Sequence, residues 1–368
     1  TTAITASGAS TYAWSDTGGF TATTATADIL VGGTYTVIGT NANGCQNSAS
    51  ITVIVNPLPI ISAGTDATIC VGQSTTLNAS GGVSYVWSPT TNLSSSTSAN
   101  PIASPTSTIT YTVTGTDANS CQNTSNVTVN VNSLPTINAG SPQAICIGGS
   151  AQLQASGATS YTWTPTLSLN NATIDNPIAT PTTTTTYTVT GTDGNTCQNT
   201  ATVTVTVNNL PNVSAGNDVA ICIGNTTPLL ATGAVNYTWS PATDLSNTAI
   251  ANPVSSTTST ITYTVLGVDA NGCENTDDVV VTVNALPIID AGTSTAICIG
   301  GSTTLTATGG VSYIWSPVTN LSSTTIANPV ANPSSTQTYT VSGTDANGCV
   351  NTDNVTVTVN NLPTVSAG

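Results

Sequence analysis

The stretch YTVSGTDANGC, ending at Cys349, occurs five times, as YTVIGTNANGC ending at Cys45, YTVTGTDANSC at Cys121, YTVTGTDGNTC at Cys197 and YTVLGVDANGC at Cys273. These cysteines fall 76 residues apart at every step, with no insertion or deletion. Such a period makes the chain a tandem array of one small domain. In the last copy Tyr339, Val341 and Gly343 alternate with Thr340, Ser342 and Thr344, the period-2 pattern of a strand with one buried face. The Asp-Ala-Asn-Gly that follows reads as a tight turn, and Val355, Val357 and Val359 mark a second strand. Each copy thus carries a hairpin with a cysteine at its tip.

Composition limits the chemistry. The 368 residues include no Lys, Arg, His or Met, 15 Asp plus Glu, and nine Cys. Nothing here neutralises a phosphate, so nucleic acid and anionic membrane surfaces are disfavoured partners. The surface is left to Thr, Ser and Asn, and so low a charge density promotes self-association. Cysteines at fixed spacing without histidine point to disulfides and an oxidising compartment rather than zinc. No apolar run approaches the roughly 18 residues of a membrane helix, so membrane insertion is not expected.

The copies divide as a partial first repeat, 1–56, four repeats at 57–132, 133–208, 209–284 and 285–360, and the start of a sixth at 361–368. The first repeat departs from the rest between Trp14 and Tyr35, where it is three residues shorter. The joints read NPLP, NSLP, NNLP, NALP and NNLP, and their proline stiffens them. Thr1 aligns with Ser74 and Gly368 with Gly292, so the sequence reads as a piece of something longer. Completion of the residue 1 end by residues 361–368 of another chain ranks below truncation, because the nine residues equivalent to 293–301 stand at neither end.

Within the second copy, alternation and punctuation predict a split first strand at Pro59–Ala63 and Asp66–Cys70, then a strand at Ser74–Ser80 with Leu77 and Ala79 inward. Strands at Tyr85–Trp87, Ile109–Thr116 and Asn126–Val131 follow. Seven or eight short strands without helical period make an all-β sandwich.

GlyGlnSerThrThrLeuAsnAla at 72–79, Trp87, and Tyr111 two residues before Val113 resemble the second strand, the core tryptophan and the tyrosine corner of an immunoglobulin-like domain. The whole unit is similar to the PKD-like and Ig-like repeats of giant Bacteroidota surface proteins, including gliding-type adhesins. The resemblance implies a tandem array of immunoglobulin-like/PKD-like β-sandwich domains with a 76-residue repeat, in an extracellular, cell-surface adhesin or filament. Ala79 and Val113 stand where antibody-type domains place their inter-sheet disulfide. The core is therefore expected to pack around Trp14, Trp87, Trp163, Trp239 and Trp315.

No catalytic residues are expected: without His, Lys or Arg there is no ordinary general base, no cationic oxyanion clamp and no activator for a cysteine. Asp277 and Asp278 are strand neighbours on opposite faces and make no carboxylate dyad. The Tyr and Trp residues are all accounted for by the fold, leaving Phe20 spare. Calcium has one recurring Asp per copy, at Asp117, Asp193, Asp269 and Asp345 with Asn41 in the first, which suits an Asx turn better than a hard cation. No cofactor is expected.

Two cysteine pairings compete. Sequence separation favours Cys70 with Cys121 inside a copy. In the sandwich topology, however, Cys70 ends a strand at the far pole and Cys121 opens the last strand at the near pole, about 25 Å away by strand rise. Disulfide Cα atoms must approach within about 7 Å. Staples between repeats, Cys70 to Cys197, Cys146 to Cys273 and Cys222 to Cys349, are the favoured reading, leaving Cys45, Cys121 and Cys298 to copies missing or incomplete here. The functional reading is a structural stalk or filament whose partners are its own neighbouring repeats. An array that binds carbohydrate or another surface, or a spacer of a secreted enzyme, are the alternatives. Lacking Lys and Arg, the chain should yield no tryptic fragment even when reduced and unfolded, as mass spectrometry of a digest will read directly.

Overall fold

The computed structural model describes residues 1–366, and they are all-β. In the second copy the strands are Ala67–Cys70, Thr75–Thr76, Ser84–Ser88, Ile102–Ala103, Ile109–Thr116 and Gln122–Asn132. Four form one sheet in the order Ala67–Cys70, Gln122–Asn132, Ile109–Thr116, Ser84–Ser88. The first pair is parallel, with Cys70 opposite Asn132, and the others are antiparallel. The facing sheet pairs Thr75–Thr76 with Ile102–Ala103 and is widened by single bridges from Ser62 to Ser80 and from Leu93 to Ala103. This is an immunoglobulin-like sandwich, and the next three copies repeat it strand for strand.

The alternation along Ile109–Thr116 sends Tyr111, Val113 and Gly115 inward, against Val127 and Val129 of the final strand. Trp14, Trp87, Trp163, Trp239 and Trp315 are all buried, and each indole N–H donates to a backbone carbonyl, of Thr24, Ser98, Ile174, Ile250 and Ile326 respectively. Burying a tryptophan demands a partner for its one polar atom, and the loop between the sheets supplies it.

The segment after each joint crosses the end of the sandwich in close contact. The Ile61 side chain occupies the space over Gly115 where a Cβ would stand, and Ile137 with Gly191, Val213 with Gly267 and Ile289 with Gly343 do the same. One residue earlier, the carbonyl oxygens of Ile60, Thr136, Asn212 and Ile288 press on Gly81, Gly157, Gly233 and Gly309, all at positive φ.

The structure corrects several expected elements. Each complete copy has six strands, not seven or eight, because the residues near 62 and 93 make only isolated bridges. The strand expected over Ser74–Ser80 is regular only at Thr75–Thr76. The amides of Leu77 and Ala79 still bond the carbonyls of Pro101 and Ala99, but Pro101 has no N–H to return, so the ladder stops there. Of the split first strand, only Ala67–Cys70 is regular, and the last strand begins at Gln122 rather than Asn126. The tyrosine hydroxyl also differs from its antibody counterpart: Tyr111 donates to Thr91 O, across the sandwich rather than a few residues upstream.

The first repeat has its own pattern. Its shortened loop forms an additional strand, Thr21–Ala22, beside Trp14, and Thr26–Ile29 pairs with Thr2–Thr5 over four residues. Phe20 is not spare, since its ring meets Tyr35 edge-on at 5.2 Å and joins the core. Gly343→Ala places a methyl group in the Ile289 side chain, and overpacking of that kind costs about 1–3 kcal/mol. The expected outcome is a lower denaturant midpoint for the last complete repeat, which Ile289→Ala in the same chain partly restores.

Candidate functional site at the joints between repeats

The parallel pairing of Ala67–Cys70 with Val129–Asn132 carries the first cysteine to the pole where the chain leaves the repeat. Val71 N donates to Asn132 O and Gln73 N to Cys70 O, closing a turn directly beside the joint. Ile147, Ile223 and Ile299 make the same bond to Asn208, Asn284 and Asn360.

The second cysteine sits in the hairpin turn at the entry pole of the next repeat. Asp193 Oδ1 accepts from the amides of Asn195 and Cys197, and Asp193 N donates to Cys197 O, so the turn is tied from both sides. Asn41, Asp117, Asp269 and Asp345 do the same in the other copies. The hydrogen bond from Cys273 N is the largest of the causes that hold the Asp269 carboxyl below its ordinary value. Those carboxylates are committed to turn amides, and among the described residues no group of three or more His, Cys, Asp or Glu could hold a metal ion.

The two turns meet across the joint. Disulfides join Cys70 to Cys197, Cys146 to Cys273 and Cys222 to Cys349, each over a sequence separation of 127, with Cα atoms 5.5 to 5.6 Å apart. Cys197, Cys273 and Cys349 are fully buried. Cys45, Cys121 and Cys298 are free thiols, and Cys45 and Cys298 are exposed.

A residue that the sequence reading passed over completes the joint. Asn199, two positions after Cys197, donates through Nδ2 to the carbonyl of the joint proline Pro135 at 2.9 Å. Asn123, Asn275 and Asn351 hold Pro59, Pro211 and Pro287 in the same way. With Asn132 O bonded on one side and Pro135 O on the other, only Ser133 and Leu134 lie between anchored positions. The signal was present as Cys-x-Asn in all five copies.

No family model matches this sequence, and no curated protein matches it. Among solved structures, the eight N-terminal Ig domains of Down Syndrome Cell Adhesion Molecule align at 14% identity over 95% of this chain and 56% of that one, with a TM-score of 0.32. The chain thus spans little more than half of that structure. Immunoglobulin domains 1–5 of Sidekick-1 align at 12% identity over 96% and 92%, with a TM-score of 0.26. The human Desmocollin-1 ectodomain aligns at 13% over 97% and 94%, with a TM-score of 0.23. Superpositions this loose carry no argument, and the fold rests on the strand order and register given above.

Each disulfide closes a long loop, and in the chain-entropy account removing one costs about 2–5 kcal/mol. The three loops overlap along the chain, so their contributions are not additive. The double variant Cys146→Ser/Cys273→Ser should lower the denaturant midpoint of the repeats from 133 to 284 by a free energy in that range. Non-reducing peptide mapping with a protease that cuts at Asp or aromatic residues should recover Cys70 joined to Cys197.

Proposed function

We propose that this chain is a non-catalytic structural stalk, a stiff segment of a large extracellular surface protein of the adhesin or filament type named by the sequence resemblance. The observation that carries this reading is the disulfide across the joint between consecutive repeats. A disulfide inside a domain stabilises that domain alone, whereas one between poles fixes the angle and twist of two domains. Flexible linkers let beads reorient freely, and here the joint is held by the disulfide, an asparagine clamp and a backbone bond within a few residues. Disulfides also persist in oxidising surroundings, which supports a location outside the cell.

The surface suits an inert spacer. With no cation to pair, its 15 carboxylates serve turns and solvation. Across the exposed faces of the final hairpin, threonines pair hydroxyl to hydroxyl, as Thr110 with Thr128 and Thr186 with Thr204, so the outward side is hydrated and uniform.

Small-angle scattering tests the reading. Strand rise and loops give about 35–45 Å per repeat, hence about 200 Å for five. The oxidised chain should scatter as a rod of that length, and reduction should turn the curve into that of a flexible chain. A compact particle, or identical curves in both redox states, would sink the proposal.

A further inference from the structure

Each disulfide bonds the first cysteine of one repeat to the second cysteine of the next, and so steps over 127 residues of chain. Cys197 ends one bridge and Cys222 begins another, and only 25 residues separate them. A continuous covalent line therefore runs from Cys70 to Cys197, along the backbone to Cys222, and across to Cys349. It crosses the outer joints of the third and fourth repeats through sulfur, and the joint between them through residues 208–211. A second line, from Cys121 along the backbone to Cys146 and through Cys273 to Cys298, runs one repeat out of step. Every joint between complete repeats is thus crossed twice, once by backbone and once by disulfide.

These lines bypass most of each sandwich. In the third repeat the strands Ala151–Gln152, Ser160–Thr164, Ile178–Ala179 and Thr185–Thr192 all lie between Cys146 and Cys197. Buried Trp163 and Tyr187 lie there too, so the centre of the core is off both lines. What remains on the line through Cys197 is the final strand Gln198–Asn208, the joint, and the post-joint segment up to Val219–Cys222.

Lengths decide what this does under load. A fully extended chain reaches 3.3–3.6 Å per residue, so the 25 residues from Cys197 to Cys222 span about 83–90 Å. The disulfides at its two ends add Cα separations of 5.6 and 5.5 Å, for a taut line of about 95–100 Å. The folded third and fourth repeats, which lie between Cys70 and Cys349, already fill about 70–90 Å at about 35–45 Å each. Complete unfolding of both gains at most about 30 Å. Without the disulfides, the 279 residues from Cys70 to Cys349 would draw out to about 920–1,000 Å.

We propose that this array is a tensile tether: load along it is carried by the two disulfide-linked backbone lines, and unfolding of the repeats between them cannot draw it out. A sandwich held by non-covalent contacts alone gives way under pull at its unfolding rate and then releases its whole contour. Here that contour is closed into loops that the load does not reach. The proposal goes beyond the stalk reading, which concerns bending rather than extension.

The test pulls the oxidised full chain between residues 1 and 368 in an optical trap, in a Cys45→Ser/Cys121→Ser/Cys298→Ser background that prevents thiol exchange. The shortest covalent line runs from residue 1 to Cys70, from Cys197 to Cys222 and from Cys349 to residue 368, which is 113 residue steps against 367 along the backbone. Extension should stop at about 400 Å when oxidised and continue to about 1,200–1,300 Å when reduced. Cys222→Ser/Cys349→Ser should add about 420–460 Å to the oxidised limit. Cys146→Ser/Cys273→Ser, which opens a loop of the same 127 residues, should add nothing, because the shortest line does not use that bridge. A role in stability alone would make the two variants alike, and the readout is a contour length that holds whether or not a variant keeps its fold. An oxidised chain that draws out repeat by repeat beyond its limit, or equal lengthening in both variants, would overturn the proposal. A rod in scattering that still draws out would remove the tether and leave the stalk, whereas a flexible oxidised chain with the expected limit would do the reverse.

Discussion

The parallel pairing of Ala67–Cys70 with the last four residues of the final strand sets the rest of the architecture. A segment that enters at one pole runs beside a strand that leaves at the other, so the end of the first lies at the exit of the second. That register puts Cys70 next to Asn132 and Cys146 next to Asn208, at the joint itself. With the hairpin turn at the entry pole, a cysteine at each of these places has its neighbour in the adjoining repeat. The intradomain alternative is removed by strand length, because the two cysteines of one copy end up at opposite poles.

Below the joint, each repeat closes its core without an inter-sheet disulfide. A buried tryptophan, a buried tyrosine and the valines of the hairpin fill the space, and in the second copy the polar atoms of the two aromatics are bonded to loop backbone. Glycine at 115 and its equivalents is a packing requirement rather than a turn: the strand forgoes a side chain so that an aliphatic one from the joint segment can lie over it. The core of every complete repeat therefore includes the segment that links it to the previous one. Joint and core are mechanically the same object, so fixing the joint also fixes how a repeat meets the one before it.

The absence of Lys, Arg and His suits the proposed stalk. Nothing on the surface makes an ion pair, so the contacts that hold the array together are apolar packing, neutral hydrogen bonds and disulfides. Contacts of these kinds respond little to salt, unlike surface electrostatics, which are screened within a Debye length.

The sequence by itself determined the number of copies, the strand pattern of the hairpin, the all-β class and the absence of Lys, Arg and His, because these depend on local alternation, turn chemistry and residue inventory. The Asp of each hairpin turn was legible for the same reason, as an Asx residue whose partners lie within four positions. The tertiary structure decided what depends on residues far apart in sequence. It confined the second strand to Thr75–Thr76, because the partner that limits it is Pro101. It gave Phe20 a place against Tyr35, and it turned a recurring Cys-x-Asn into a clamp on a proline 64 positions away. Spacing alone left two cysteine pairings open, and only the positions of the poles in three dimensions separate them, since a disulfide reads distance through space and the chain records distance along itself.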